Sequence, residues 1–321
     1  MIKLIGGAGF VGSRLIEIQE DCFVLDKRCS GDEYVDITDP RSLHGKISKH
    51  DKVVLLAAEH RDDVTPTSKY YETNVEGTKN VLNEMDRIGC RNLIFTSSVA
   101  VYGLNNDNPD EMFDVNPFNH YGESKLAAEN LIKAWYEKDC NNKCVTIIRP
   151  TVIFGENNRG NVHNLLKQIA SGKFLMIGKG ENEKSMAYVG NIVSFIAFRL
   201  NADEGFQIFN YADKPDFKMN SLLYFIEKTL GKRAPSIRIP VWLGYLTGYS
   251  FDILARLTRL KFPISAVRVK KFVANTKFDS TKSLSSGFKP PYTIEEGLER
   301  TLTYEFLQKR KTSRDASSLK E

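Results

Sequence analysis

The stretch IKLIGGAGFVGSRL, residues 2–15, decides how the rest of the chain reads. Four largely aliphatic residues make a short strand, and Gly6 stops it. Gly6, Gly9 and Gly12 follow at three-residue spacing, and read from Gly7 the same letters satisfy G-x-G-x-x-G. Phe10 and Val11 open a helical pattern at the glycines. Strand, glycine turn and helix in this order are the setting in which the spacing binds a dinucleotide. Glycines let the backbone approach a pyrophosphate, and a helix start offers unpaired N–H groups and a positive dipole end. Asp26, in CFVLDKR at the tip of the next expected strand, suits the hydroxyls of an adenosine ribose. It repels a 2′-phosphate, so NAD is favoured. The adjacent Lys27 and Arg28 leave NADP open.

Outward from this turn, strand patterns recur at 22–25, 52–56, 92–96 and 145–148. Helical patterns around 11–18, 70–88 and 124–136 fall between them. The alternation means a parallel sheet with helices on both faces. Continuous apolar runs such as KVVLLAA fit strands buried on both sides. The expected fold is α/β, a Rossmann-type doubly wound parallel sheet. After Arg149 and Pro150 helical patterns dominate, around 162–170, 192–200, 221–230, 241–257 and 294–307, with short strands near 207–209 and 276–278. That reads as a smaller, mixed α/β C-terminal lobe for substrate. The expected limits are 1–155 for the dinucleotide domain, 156–308 for the lobe and 309–321 for a polar, disordered tail. A segment near 185–200 is free to return to the first sheet.

Composition excludes several classes. With 41% hydrophobic and 26% charged residues, the 321-residue chain reads as soluble and globular. A net charge of +5, with basic residues scattered except for Lys309, Arg310 and Lys311 in the tail, carries no nucleic-acid footprint. No apolar leader precedes the first strand. Five dispersed cysteines lack the spacing of a metal site, and reduced thiols in a cytoplasm are the expected state. The aromatic segment 239–262 is interrupted by Asp252 and Arg256, too soon for a membrane span. Two readings stay open for it: an amphipathic helix packed on the protein, or an interfacial helix that touches a membrane or a partner.

GGAGFVGSRL, VVLLAA, NVEGTKNVL, FTSSVAVYG, YGESKLAAE and IRPTVIFG occur in this order. Together they resemble the extended short-chain dehydrogenase/reductase family, in particular its nucleotide-sugar epimerases and dehydratases. The resemblance covers residues 1 to about 155 and continues more faintly to the C-terminal lobe. It implies that Ser98, Tyr121 and Lys125 are catalytic. It implies that Leu56, Ala57 and Ala58 run beside the nicotinamide half of the cofactor, with Thr96, Ser97 and Pro150 lining it. Asn74 matches an asparagine that supports the site, or simply braces its own helix. Ser97 has the alternative of satisfying backbone groups. Asp36 and Ile37, in YVDITD, are placed beside the adenine, with an ordinary turn as the competing reading. Lys184 matches a position that meets the diphosphate or uridine side, against a plain surface lysine. Asn161 either caps its helix or reaches the phosphates. His60 is a further candidate for substrate, against a structural role.

Residues four apart share a helix face, so Tyr121 and Lys125 point the same way. A free phenol has a pKa of about 10. Making it a base at neutral pH takes roughly 4 kcal/mol of phenolate stabilisation, and a nearby ammonium supplies much of that in a partly dry site. Tyr121 then takes a proton from a sugar hydroxyl, and Ser98 hydrogen-bonds the same oxygen. The dehydratases of the family carry an Asp-Glu pair where this chain has Val99 and Ala100, so elimination of water is not expected. The leading reading is an NAD-dependent 4-epimerase of a UDP-hexose or UDP-N-acetylhexosamine. Its alternatives are a nucleotide-sugar 4-ketoreductase using NAD(P)H, a sterol-type hydroxyl dehydrogenase and a non-catalytic dinucleotide sensor. The resemblance also implies a homodimer paired through helices.

Overall fold

A computed structural model describes residues 1–61, 64–104, 106–202, 205–233, 237–258, 260 and 265–308. The tail expected at 309–321 lies outside the described residues, as do 259 and 261–264 of the aromatic segment and its sequel. The first half alternates as its pattern requires. Strand β1 (Ile2–Ile5) leads to α1 (Phe10–Ile16), β2 (Cys22–Leu25) and β3 (Lys52–Leu55). A one-turn α2 (Ser68–Tyr71) runs through a π-helical stretch, Glu72–Glu76, into α3 (Gly77–Ile88). Then come β4 (Asn92–Thr96), α4 (His120–Glu137) and β5 (Cys144–Pro150).

Beyond β5 the chain forms β6 (Val152–Phe154), α5 (Asn161–Ala170), β7 (Met176–Ile177), β8 (Glu183–Tyr188) and α6 (Val189–Arg199). It continues through β9 (Phe206–Tyr211), β10 (Asp213–Lys218), α7 (Met219–Leu230), β11 (Arg238–Ile239) and α8 (Val241–Thr258). It closes with α9 (Ala266–Val273), α10 (Thr281–Ser285) and α11 (Ile294–Leu302).

The main sheet is parallel and six-stranded, in the order β2-β1-β3-β4-β5-β9. Strand order reverses between β1 and β3, the crevice where open α/β sheets take ligands. Alternate residues serve opposite faces. Val53, Leu55, Leu93, Phe95, Val145 and Ile147 pack with Val81, Met85, Ile132 and Trp135 of α3 and α4. Leu4, Val54, Ile94 and Ile148 face the other way, into a cluster with Leu15 of α1 and Ile192 and Phe195 of α6. The second cluster does not stop at the sheet. It runs on through Phe154, Leu166, Phe217, Leu222 and Leu298 into the C-terminal lobe.

Two expectations are revised. The strand near 207–209 was assigned to the lobe, yet β9 is the sixth strand of the main sheet and pairs with β5 from Val145↔Phe206 to Pro150↔Tyr211. The α6 helix before it packs against α1. The strand near 276–278 shrinks to one bridge, Lys184↔Thr276. Beyond it the Ser185 hydroxyl accepts from the Phe278 amide at 3.0 Å, in place of a strand partner.

Candidate active site

The glycine turn closes on the end of β3. Gly6 has φ +86°, and a Cβ there would lie 2.4 Å from the Ala57 amide nitrogen, so only glycine allows the two segments to touch. Leu56 and Ala57 both donate to the Ile5 carbonyl, at 2.8 and 2.9 Å. Asp26, 5% exposed, reaches back from the tip of β2. Its Oδ2 accepts from the Ala8 amide at 3.1 Å, inside the turn. The Arg28 guanidinium grips the same carboxylate, Nε to Oδ1 at 3.0 Å and Nη2 to Oδ2 at 2.9 Å. Burial works to raise the Asp26 pKa, but the hydrogen bonds and charge of Arg28 outweigh it and hold the carboxyl below its usual range. The base that acts on Asp26 is therefore Arg28; Lys27 stays exposed.

Further along the same edge, Ser97 is 3% exposed, and its hydroxyl has no hydrogen-bond partner among the described residues. A buried hydroxyl left unpaired is costly, so this one fits a polar ligand lying across the strand ends. The alternative role for Ser97, satisfying backbone groups with its side chain, is not what its hydroxyl does here. The glycine cradle, the anchored Asp26 and the unpaired Ser97 hydroxyl fit a dinucleotide running from the turn past β3 to β4. Phe10 and Val11 start α1 beside Gly9, and Gly12 is buried within it. Pro150 ends β5 in the interior. Asp36 makes a local turn, its Oδ1 accepting from the Thr38 amide at 3.0 Å. Ile37 is 4% exposed and lies on α3, where a Cβ on Gly77 would come within 2.6 Å of it.

The chemistry-bearing residues converge from three elements. Asn119 caps α4, accepting from the Gly122 amide at 2.9 Å, and this sets Tyr121 in the first turn. The Tyr121 ring centroid lies 6.4 Å from that of Tyr70. One turn on, Lys125 is 2% exposed. Its Nζ donates to the Thr96 carbonyl at 2.7 Å and sits 4.6 Å from the Phe95 ring centroid. Burial drives its pKa down to about 7, with the Glu129 carboxylate opposing. Thr96 in turn donates to the Leu55 carbonyl, 3.2 Å away, so β3, β4 and α4 meet at this point. Ser98 caps the short turn Val99–Tyr102 and accepts from the Ala100 amide at 3.2 Å. A Cβ on Gly122 would lie 2.5 Å from the Ala100 carbonyl oxygen. The missing side chain thus lets the Tyr121 turn press against the Ser98 turn.

Asn74, 1% exposed in the π-helical stretch, holds these parts together. Its amide accepts from the Glu59 amide at 2.8 Å and donates to the Glu59 carbonyl at 3.0 Å and to Ser124 Oγ at 2.9 Å. Ser124 Oγ passes the bond to the Tyr121 carbonyl at 2.8 Å. Ser124 was not singled out from the sequence. The letters YGESK show only a small hydroxyl between the tyrosine and the lysine; that this serine is fully buried is visible in the fold alone. Also missed was the clamp behind Lys125. Arg149 of β5 binds Glu129 at 3.0 and 2.6 Å and Tyr102 Oη at 2.7 Å, and Tyr102 donates to Asn210 of β9 at 2.8 Å. Burial opposes the Arg149 charge, yet the Glu129 carboxylate raises its pKa on balance. Glu129 is thereby committed to Arg149.

Three substrate candidates lie elsewhere in the network. Lys184 donates to the Lys271 and Ala274 carbonyls at the end of α9, at 2.9 and 2.6 Å, and burial lowers its pKa to about 8. It is neither a solvated surface lysine nor free to swing. Asn161 is the exposed first residue of α5, whose N-cap is Gly160, so it is not the cap. No side chain caps α5 by a hydrogen bond; the Asn158 side chain accepts from the Gly160 amide at 2.5 Å and so fixes the turn that enters the helix. His60 is exposed, and its amide donates to the Glu59 carboxylate at 3.2 Å.

The family model for the NAD dependent epimerase/dehydratase family matches residues 2–212. The chain is 55% identical over 319 residues to an N-acetyl-alpha-D-glucosaminyl-diphospho-ditrans,octacis-undecaprenol 4-epimerase of Escherichia coli O157:H7, covering 97% of this chain and 96% of that one. It is 29% identical to a UDP-glucose 4-epimerase of Vibrio cholerae, covering 94% of each. Its fold is shared by MoeE5 in complex with UDP-glucuronic acid and NAD, with a TM-score of 0.74, 20% identity and coverage of 97% of this chain and 99% of that one.

Proposed function

The chain belongs to the NAD dependent epimerase/dehydratase family, and from that premise we propose that it is an NAD-dependent 4-epimerase of N-acetylhexosamines linked through a diphosphate to undecaprenol. The observation that carries the chemistry is the convergence of Ser98, Tyr121 and Lys125 at the end of β4, with Gly122 pressed against the Ala100 carbonyl. The 55% identical relative supports the lipid carrier. A second reading, with uridine diphosphate as carrier, is supported by the 29% identical UDP-glucose 4-epimerase.

The residues that would hold NAD are the Gly6–Gly12 turn, Asp26, the 56–58 segment and Ser97. Bound there, NAD would supply reversible hydride chemistry at the sugar C4. Tyr121 takes the C4 hydroxyl proton and gives it back to the product oxygen. Ser98 donates to that oxygen while it is a carbonyl. Lys125, tied to the Thr96 carbonyl one turn from the phenol, lends positive charge in its protonated form, and Asn74 with Ser124 fixes the turn that carries both. Val99 and Ala100 provide no acid or base for elimination.

The test is to incubate pure protein with N-acetylglucosaminyl-diphospho-undecaprenol and, separately, with UDP-N-acetylglucosamine, adding no dinucleotide. Epimer formed from the lipid substrate is the expected result. Epimer formed only from the UDP sugar selects the second reading. Activity that requires a keto-sugar and stoichiometric NADPH overturns both in favour of a ketoreductase.

A further inference from the structure

Helix α8 is attached to the protein along one narrow seam. Gly244 and Gly248 are its buried residues. A Cβ on Gly244 would come within 2.9 Å of Ile177, and one on Gly248 within 2.8 Å of the Ala266 amide nitrogen. Most of the other side chains are exposed, with Tyr245 and Phe251 half-buried beside the seam. Trp242 (67% exposed), Leu246 (57%), Tyr249 (59%), Ile253 (60%) and Leu257 (78%) recur at three- and four-residue steps, so they form one apolar stripe. From Trp242 to Leu257 this stripe is about 24 Å long. A patch of this kind on a soluble protein marks an interaction surface.

Charge identifies the partner. Residues 228–278 hold eleven Lys and Arg and a single acid, Asp252. Asp252 is spoken for, since its Oδ2 accepts from the Ala266 amide at 3.0 Å. The remainder of the chain holds 34 Lys and Arg against 39 Asp and Glu, so the positive charge of the molecule is concentrated here. An exposed apolar stripe set among basic residues is the composition of a helix that lies in the headgroup region of an anionic bilayer. No described helix is long and apolar enough to cross one.

We propose that α8, with the basic residues that flank it in sequence, docks this protein on the surface of an anionic lipid bilayer. The seam carries that contact towards the chemistry. The Lys271 ammonium of α9 lies 5.4 Å from the Phe118 ring centroid, and Phe118 directly precedes the cap of the Tyr121 helix. Docking recognises headgroups and the acyl boundary, so it stands without the carrier assigned above.

The protein supplies its own reporter. Of its two tryptophans, Trp135 is 3% exposed and donates to Asp86 at 2.6 Å, so a vesicle-induced change in emission reports Trp242. Vesicles of phosphatidylglycerol and phosphatidylethanolamine should float the protein and shift its emission to the blue. Phosphatidylcholine vesicles, or high salt, should weaken binding about tenfold or more. Combined Leu246→Ser, Ile253→Ser and Leu257→Ser should abolish flotation while bound NAD and thermal midpoint are kept. Arg268→Glu with Lys270→Glu should weaken it without touching the stripe. Wild type that ignores anionic vesicles, or a stripe variant that floats like wild type, overturns the proposal. So does a stripe variant that turns a dimer into a monomer while wild type ignores lipid, which makes the stripe a protein interface. Flotation without epimerisation leaves docking intact and sinks the catalytic reading, and the converse result does the opposite.

Discussion

At the residue scale, the proposed mechanism gives proton transfer to Tyr121 and charge to Lys125. Tyr121→Phe removes the proton acceptor and keeps the ring, so turnover should fall about 10²- to 10⁴-fold while released NAD is unchanged; denaturing the protein and assaying the dinucleotide checks both. Lys125 predicts a pH effect on stability. Its folded pKa of about 7 lies below the ordinary 10.5, so between those values the unfolded chain binds more protons than the folded one. Stability from this group therefore rises with pH through that window, by at most about 1.4 kcal/mol per pH unit. Urea titrations at pH 7 and pH 9 should show wild type gaining relative to Lys125→Met. Equal gains would mean that the lysine is hydrated in solution. The shared helix face of the two residues was legible in the sequence from their four-residue spacing, whereas their catalytic roles are what the family resemblance implies. Lys184 shows the limit of that reasoning. Its charge was visible, but not the two carbonyls at the end of α9 that claim it, because those partners lie about 90 residues downstream.

At the element scale, the site depends on how closely α4 and the π-helical stretch approach the ends of β3 and β4. Gly122→Ala places a methyl 2.5 Å from the Ala100 carbonyl oxygen, a contact that only movement of backbone relieves. A shift of that order at a catalytic turn costs about 10²-fold in turnover, with NAD content retained, and steady-state kinetics would show it. Asn74→Ala leaves the Glu59 backbone groups and Ser124 without their shared partner. Each buried group so orphaned costs about 1–3 kcal/mol, so denaturant midpoints should drop and Asn74→Asp should not restore them. The first five strands of the main sheet and their helices were legible from period and glycine placement. The sixth strand was not. FQIFNY carries nothing local to say that its neighbour is β5, about 60 residues earlier, and not an adjacent strand of the lobe.

At the scale of the whole molecule, the C-terminal lobe and the main sheet share one apolar interior. Phe195 of α6 meets Phe198, Phe209, Tyr211 and Phe288 within 6.3 Å between ring centroids, linking helix, sheet edge and lobe. Phe195→Ala should cost about 3–5 kcal/mol, and calorimetry should show a single transition lowered as a unit. Two separated transitions would refute a common interior. This sharing was not legible in the sequence, where the change of rhythm after Pro150 marked a boundary in chain order but none in packing. The shared interior also bears on how a sugar is inverted. A substrate must offer each of its faces in turn to the same fixed edge, and halves fused through phenylalanines cannot swing apart to re-grip it. In the proposed reaction the half-turn therefore belongs to the ring, pivoting on its diphosphate tether like a door on a pin, while the frame stays still.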